Sequence, residues 1–454
     1  MPTVTLNKTV FEKLVGKELP LEELKDRISM LGTDLESIEN DEIHVEIFPN
    51  RPDLLSEQGF ARAFSSFIGI KPGLRKYEVQ SSGQKVIVDS SVTMRPYTAC
   101  AIVRNLSLND ERIRELMQVQ EKLATTHGRN RKKSAYGIYP LNPIVFPINY
   151  IAKNSEEVKF KPLGFDNEVV ASEIPENHPK GKAFAHLTKG WKKYPFFIDA
   201  ADNVMCMLPF TNSHDTGKVD ETTKDVFVEC TGNDLDNVQV ALNILVTTLA
   251  DMGGEIYTLE IEYPDKKITT PNLEPTKMKF DLNYINQRLG LSLSESDAKT
   301  LLEKMGFGYE NDEVLIPSYR ADILHQVDFA EDIAIAYGYE NFQAEIPQVA
   351  TIGESDPLEN FVSKLRDILV GVKLLEAKNY HITTSHDLNE KMLQENKVIE
   401  LLNAVGEHNT LRNSIIPGLL KNLSHNQHHE YPQNLFEVGK VFTQGDTETG
   451  VQET

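Results

Sequence analysis

Two stretches of this chain repeat one pattern, and a repeat limits the fold more tightly than any single motif can. Residues 22–70 and 295–339 each pass through an amphipathic helix, a glycine turn, a strand that opens on Asn-Asp-Glu, an Arg-x-Asp step and a second helix. The first copy contains NDEIHVEIFPNRPDLLSEQGFARAFSSFIGI and the second NDEVLIPSYRADILHQVDFAEDIAIAYGY, so that Arg51 and Asp53 align with Arg320 and Asp322. The chain is therefore expected to build one small helix-and-strand domain twice, with an unrelated stretch between.

The copies part in their acids. Gly59, Arg62 and Ala63 of the first stand where the second has Asp328, Glu331 and Asp332. Those three acids fall at i, i+3 and i+4, on one face of a helical turn. Asp322 lies just upstream, where Pro317, Tyr319 and Arg320 read as a strand end and loop. Four carboxylates that converge need solvent, a basic partner or a cation. Oxygen ligands with no cysteine nearby suit magnesium or calcium rather than zinc. A solvated acidic helix start, favoured by the helix dipole, is the competing explanation. The first copy is satisfied without these acids, which weakens a purely structural account; a basic partner facing the helix would serve as well as a metal.

The 454 residues are too many for one core and imply three or four domains. A formal charge of −21 argues against a protein that grips nucleic acid with its whole surface, so any RNA contact has to be a patch or be shared with a partner. Cys100, Cys206 and Cys230 lack the spacing of a metal site or disulfide framework. No signal peptide and no membrane-length apolar run is visible, so a cytoplasmic protein without a membrane partner is expected.

Taken in order, residues 1–85 open with a short strand over 3–6. Leu21, Leu24, Ile28 and Leu31 give a helical period that Gly32 ends, and Phe60, Ala61, Phe64 and Phe67 give a second apolar stripe. Asp53 is expected to cap the helix after it. From about 77 to 106 the pattern is strand-like, a helix is predicted over 112–126, and HGRNRKKSAYGIY follows. Arg129, Arg131, Lys132 and Lys133 form the sharpest basic cluster of an acidic chain, beside Gly128, and can hold phosphates; a solvated loop is the alternative. FFIDAADNVMCMLPFTNS reads as two strands and a loop, DVFVECTG as another strand, and 237–252 as a helix that buries Val238, Ala241, Leu242, Leu245 and Leu249. Residues 262–275 read as a linker. In the second repeat Asp281 caps a helix, and Ser294 with Asp297 makes a capping-box start. Beyond 354, an amphipathic helix over 357–371 is followed by strands, a loop with Arg412, another helix and the strand NLFEVGKVF. Arg412 with Glu437 is read as a core ion pair or a loop anchor rather than an ATP site, and His425, His428 and His429 lack a fourth metal ligand on their element.

The passages PSYRAD…DFAEDIAIAYGY, NRPDLLS…GFARA and LRNSIIPGLL together resemble the beta subunit of phenylalanine–tRNA ligase over essentially the whole chain. Without an inserted oligonucleotide-binding barrel, the chain is similar to the archaeal and eukaryotic cytosolic type. The resemblance implies an α+β multidomain protein: an adaptor domain over 1–85; a mixed α/β editing domain over 90–265; a small domain repeating the first over 276–347; and, over 354–454, the start of an inactive class II synthetase-like antiparallel sheet module. That module is expected to be incomplete, with sheet edges left for a partner. The family assigns the acids matching Asp322, Asp328, Glu331 and Asp332 to magnesium. It implies an editing pocket of Phe197, Cys206, Asn212, Glu229 and Thr231 that hydrolyses tRNA carrying tyrosine in place of phenylalanine. Cys206 stands where a small hydroxyl is expected and Glu229 where Asp is expected. A Cys206 nucleophile with His186 or His214 as base has no support in the spacing. The implied partners are a catalytic alpha subunit, in an alpha2beta2 heterotetramer that uses ATP, and tRNA(Phe). A non-catalytic assembly scaffold with a decayed pocket and a nucleic-acid-binding module are the alternatives.

Overall fold

The computed structural model describes residues 2–346, 353–402, 404 and 406–454. They form two compact units, Met1–Gln343 and Ala344–Thr454. The expected domain end at 347 lies outside the described residues, as do positions 403 and 405 of the loop before Arg412.

The repeat is visible as topology. The first copy runs strand Thr3–Asn7, helices Lys8–Val15 and Leu21–Met30, strands Asp34–Glu39 and Glu42–Glu46, and helix Glu57–Phe67. The second runs strand Thr276–Lys279, helices Leu282–Leu289 and Glu295–Lys304, strands Gly308–Glu310 and Glu313–Ile316, and helix Gln326–Tyr337. In both, the last strand of the three lies between the other two. Their local signals match as well. Asp281 caps its helix, and Ser294 and Asp297 close a reciprocal capping box. The cap of the helix Glu57–Phe67 is Ser56, which accepts from the N–H of Gly59, and not Asp53. Asp53 is buried in a bidentate pair with Arg51, at 2.9 and 2.8 Å. Arg320 grips Asp322 in the same way, at 2.8 and 2.6 Å. The two pairs sense each other: burial opposes the Asp53 charge, but Arg51 and Arg320 hold its carboxyl below the ordinary range.

Between the copies lies a mixed sheet. Its strands run in the order Thr211–Asn212, Val204–Met207, Tyr194–Ile198, Ile148–Lys153, Val79–Val88, Glu255–Glu262, Tyr97–Arg104, Val226–Gly232 and Ser134–Pro140. The strand Val79–Val88 crosses the expected boundary at 85. Lys267–Thr270 pairs with Glu255–Glu262, so much of the expected linker is sheet. There Thr270 Oγ1 donates to the Cys100 carbonyl at 2.7 Å and the Tyr263 hydroxyl to that of Thr98 at 2.7 Å. Charge and proline masked a strand whose buried partners lie far away in sequence.

Strand alternation divides the core. Val226, Val228 and Cys230 pack with Ala99, Ala101 and Val103 beneath the helix Leu235–Asp251, whose apolar side holds the five expected residues. On the opposite face Phe227 packs with Cys100, Ile102, Tyr139, Tyr150, Phe197 and Cys206. The pocket residues therefore sit away from the helix.

The unit Ala344–Thr454 carries the expected helix, Pro357–Gly371, and a second one, Ile416–His425. Its strands are short and belong to separate two- and three-stranded pieces. Leu375–Glu376 pairs with Leu435–Phe436 in parallel, a departure from the expected antiparallel sheet. Among the described residues, no helix is long and apolar enough to cross a membrane.

Candidate functional site

The residues expected to form a pocket lie where the two ends of the mixed sheet approach. Phe197 lies opposite Cys206 in register, and Cys206 opposite Asn212. At the other end, Glu229 lies between Cys100 and Gly137, and Thr231 between Thr98 and Ala135. Tyr139, on the last strand, joins the ends: its hydroxyl is 3.1 Å from Asn212 Oδ1 and 3.1 Å from Glu229 Oε1. Arg131 adds a second tie by donating to the Pro209 and Phe210 carbonyls at 3.0 and 3.1 Å. Gly137 leaves room for both groups, since a Cβ there would stand 2.6 Å from Glu229 Oε1 and 2.4 Å from the Tyr139 hydroxyl and would force them to shift.

Glu229 is 1% exposed. Burial pushes its carboxyl up to about 8, against the opposing hydrogen bond of Tyr139 and the charges of Arg95 and Arg131. At neutral pH it is mostly protonated and can itself donate. With one proton on each group, the chain runs from Glu229 to the Tyr139 oxygen and from Tyr139 to Asn212. Glu229 Oε2, Thr231 Oγ1 and Arg95 Nε are buried with no partner among the described residues. Such groups cost free energy unless a ligand or water satisfies them. Arg95 is otherwise fixed by donating to the carbonyls of Arg131 and Thr231, at 2.9 and 2.8 Å.

Cys206 is fully buried, and burial, followed by the Glu229 charge, pushes its thiol up. It is a thiol and not a thiolate, so the nucleophile reading falls. His214 instead contacts Asp215, at 3.2 Å.

Beside this layer runs a groove of about 360 Å³. Leu116, Ile138, Phe210 and Val219 line it together with Arg131, Lys180, Lys218 and Asn212. Asn212 is the one expected pocket residue that also lines the groove. The basic cluster divides. Arg131 turns inward, paired with Glu121 at 3.2 Å and lying over the Phe184 ring. Arg129 and Lys132 are exposed, and Lys133 is 3.9 Å from Asp234.

The four acids expected to bind magnesium do line one cavity, of about 350 Å³, together with Arg51. They do not form a coordination shell. Arg320 Nη2 holds Asp322 at 2.6 Å and Asp332 at 2.7 Å. Asp328 accepts the N–H groups of Leu324 and His325, both at 2.8 Å, as its half of a capping box. Glu331 accepts the Tyr339 hydroxyl at 3.0 Å. Among the described residues, no three His, Cys, Asp or Glu side chains gather as a metal set. A magnesium ion wants near-octahedral oxygens, whereas two of these four are spent on a guanidinium. In this arrangement Arg320 takes the part of the counter-ion to Asp322 and Asp332. The signal was in the sequence, since Arg320 stands two residues before Asp322 and the same Arg-x-Asp step recurs at Arg51. Counting acids on a helix face left it out.

In the second unit Arg412 is buried against Glu437 and donates to the Lys440 carbonyl at 2.8 Å, a core ion pair as expected. The rings of His428 and His429 lie 4.2 Å apart.

Tyr139 and Arg95 were missed. The spacing of Gly137 and Tyr139 on one strand face was the available signal for Tyr139. Arg95, outside any strand, offered none.

Residues 278–339 match the family described as tRNA synthetase B5 domain, and residues 343–454 the family described as phenylalanyl tRNA synthetase beta chain CLM domain. The chain is 42% identical to the phenylalanine–tRNA ligase beta subunit of Archaeoglobus fulgidus over 451 residues, covering 97% of this chain and 82% of the relative. It is 39% identical to that of Pyrococcus abyssi, covering 97% and 81%. An N-terminal fragment of the phenylalanyl-tRNA synthetase beta subunit from Pyrococcus horikoshii superposes with a TM-score of 0.71 at 39% identity, over 74% of this chain and all of the fragment.

Proposed function

Because the chain belongs to the phenylalanine–tRNA ligase beta-subunit family, we propose that within that ligase it hydrolyses tRNA(Phe) mischarged with tyrosine, while a catalytic alpha subunit joins phenylalanine to tRNA with ATP. The observation that carries this reading is the set of buried Glu229 and Tyr139 with half-buried Asn212, and Glu229 Oε2 and Thr231 Oγ1 left unpartnered beside it among the described residues. A pocket of this kind favours a side chain that brings a hydroxyl and rejects one that lacks it, because its own polar groups would then stay unpaired.

In the reaction, water adds to the ester carbonyl, the bond to the ribose oxygen breaks, and that oxygen leaves with a proton. Asn212, Thr231 and Glu229 orient the tyrosyl group and the water. The buried Cys206 thiol takes no covalent part. Arg129, Lys132 and Lys133, with Lys180 and Lys218 at the groove, supply positive charge for the phosphates of the tRNA end. Arg131 holds the groove together.

The same reading assigns scaffolding to the second unit. Leu358, Phe361 and Ile368 on the helix Pro357–Gly371 are 64, 62 and 63% exposed. Apolar side chains bared on one helix suit burial by the alpha subunit in an alpha2beta2 heterotetramer. ATP and its magnesium belong to the aminoacylation step on alpha. A cytoplasmic location completes the proposal, in keeping with three free, buried cysteines.

The test is deacylation of Tyr-tRNA(Phe) by the full chain. Thr231→Ala and Glu229→Ala are expected to lower kcat/KM at least about tenfold each, the loss of one buried polar contact. Unchanged rates in both variants would move the hydrolytic site elsewhere.

A further inference from the structure

The sequence assigns no part to Tyr139, yet its phenol lies at the centre of the pocket. The side chain is fully buried, with its ring 5.9 Å from that of Phe227. Its hydroxyl meets Asn212 and Glu229 at 3.1 Å each, and its side chain shares a core cluster with Cys206. Asn212 and Glu229 are two of the five residues expected to form the editing pocket. A phenol from the protein's own chain already fills the place.

We propose that Tyr139 is an internal occupant of the tyrosine pocket: its phenol takes the position of the substrate's phenol and has to be displaced before a tyrosyl ester binds, which makes Tyr139 the specificity-determining residue of the site. This inference rests on the editing function proposed above.

Displacement is asymmetric. A tyrosyl group returns a hydroxyl to Glu229 and Asn212, whereas a phenylalanyl group of the same shape leaves both unpaired. Tyr139 therefore raises the threshold for every ligand, and only a phenol recovers the loss. Ser134–Pro140 ends the sheet order, so its outer side has no strand neighbour. Asn212, across the seam, also lines the adjoining groove. An ordinary core tyrosine would account for the burial. It would not account for unpartnered Glu229 Oε2 and Thr231 Oγ1 in the same layer.

The experiment compares the full wild-type chain with Tyr139→Phe and Tyr139→Ala, measuring hydrolysis of Tyr-tRNA(Phe) and Phe-tRNA(Phe), and L-tyrosine binding by calorimetry. Tyr139→Ala is expected to raise kcat/KM for Tyr-tRNA(Phe) about tenfold or more. Tyr139→Phe, which loses only the competing hydroxyl, is expected to raise it about fivefold, the worth of one hydrogen bond. A gain of activity cannot come from a damaged fold. If wild type hydrolyses Tyr-tRNA(Phe) and both variants are equal or slower, Tyr139 is a core residue; the inference is overturned while editing stands. If no chain hydrolyses but Tyr139→Ala binds L-tyrosine and wild type does not, the internal occupant stands and the hydrolytic function fails. With neither hydrolysis nor binding in any chain, both are overturned and a scaffold subunit remains.

Discussion

Glu229 carries the clearest pH signature of any pocket residue. Its folded carboxyl titrates near 8, well above the unfolded value of about 4.5, because burial disfavours its charge. The folded state therefore holds a proton that the unfolded state has released across that window. The stabilisation is complete below about pH 4.5 and is lost as pH rises through 8. Glu57, raised to about 8 by burial and by its neighbour Glu115, adds a loss of the same sign. Glu229→Gln is expected to flatten the fall in stability between pH 5 and 8, by an amount on the order of a few kcal/mol, in urea titrations at stepped pH. An unaltered slope would mean that Glu229 titrates as an exposed acid. At this scale the expected pocket residues came from resemblance. Their protonation was hidden, because burial depends on strands far apart in the chain. Cys206 and Glu229 looked like departures; both are buried neutral groups around one phenol.

Among the elements, the repeat was the most legible feature, and the setting of its acids the least. The shared strand order and the paired Arg51–Asp53 and Arg320–Asp322 contacts follow from periodicity and an Arg-x-Asp step. The acid face on the helix Gln326–Tyr337 was visible too, but not what neutralises it. Arg320→Met leaves half-buried Asp322 and buried Asp332 without their partner and is expected to cost about 3–5 kcal/mol in urea unfolding. Millimolar magnesium is expected to leave the wild-type midpoint where it is. A midpoint raised by magnesium and lowered by chelator would restore the metal reading. Gly59 is a second element-scale constraint: a Cβ there would stand 2.0 Å from the Asp53 carbonyl oxygen. Gly59→Ala is expected to destabilise by about 1–3 kcal/mol in the same assay, as overpacking does. The strand at Lys267–Thr270 was illegible for the reason given by its pairing: polar, proline-flanked residues form it because Glu255–Glu262 is there to receive them.

As a whole molecule, the chain carries a buried polar layer in one unit and a bared apolar helix in the other. Substituting Phe361→Asp and Ile368→Asp removes apolar surface from a helix whose side chains are not buried in this chain. Stability of the free chain is expected to change by less than about 0.5 kcal/mol, while co-purification with the alpha subunit is lost. Retained association would put the contact elsewhere. The central claim is that the pocket spanning the two sheet ends reads a phenolic hydroxyl. Its most direct measurement is the ratio of kcat/KM for hydrolysis of Tyr-tRNA(Phe) to that of Phe-tRNA(Phe), by the wild-type chain assembled with its alpha subunit. The account predicts a ratio of about 100 or more, since the phenylalanyl ester leaves buried polar groups unpaired. A ratio near one, or hydrolysis of neither ester, would contradict it.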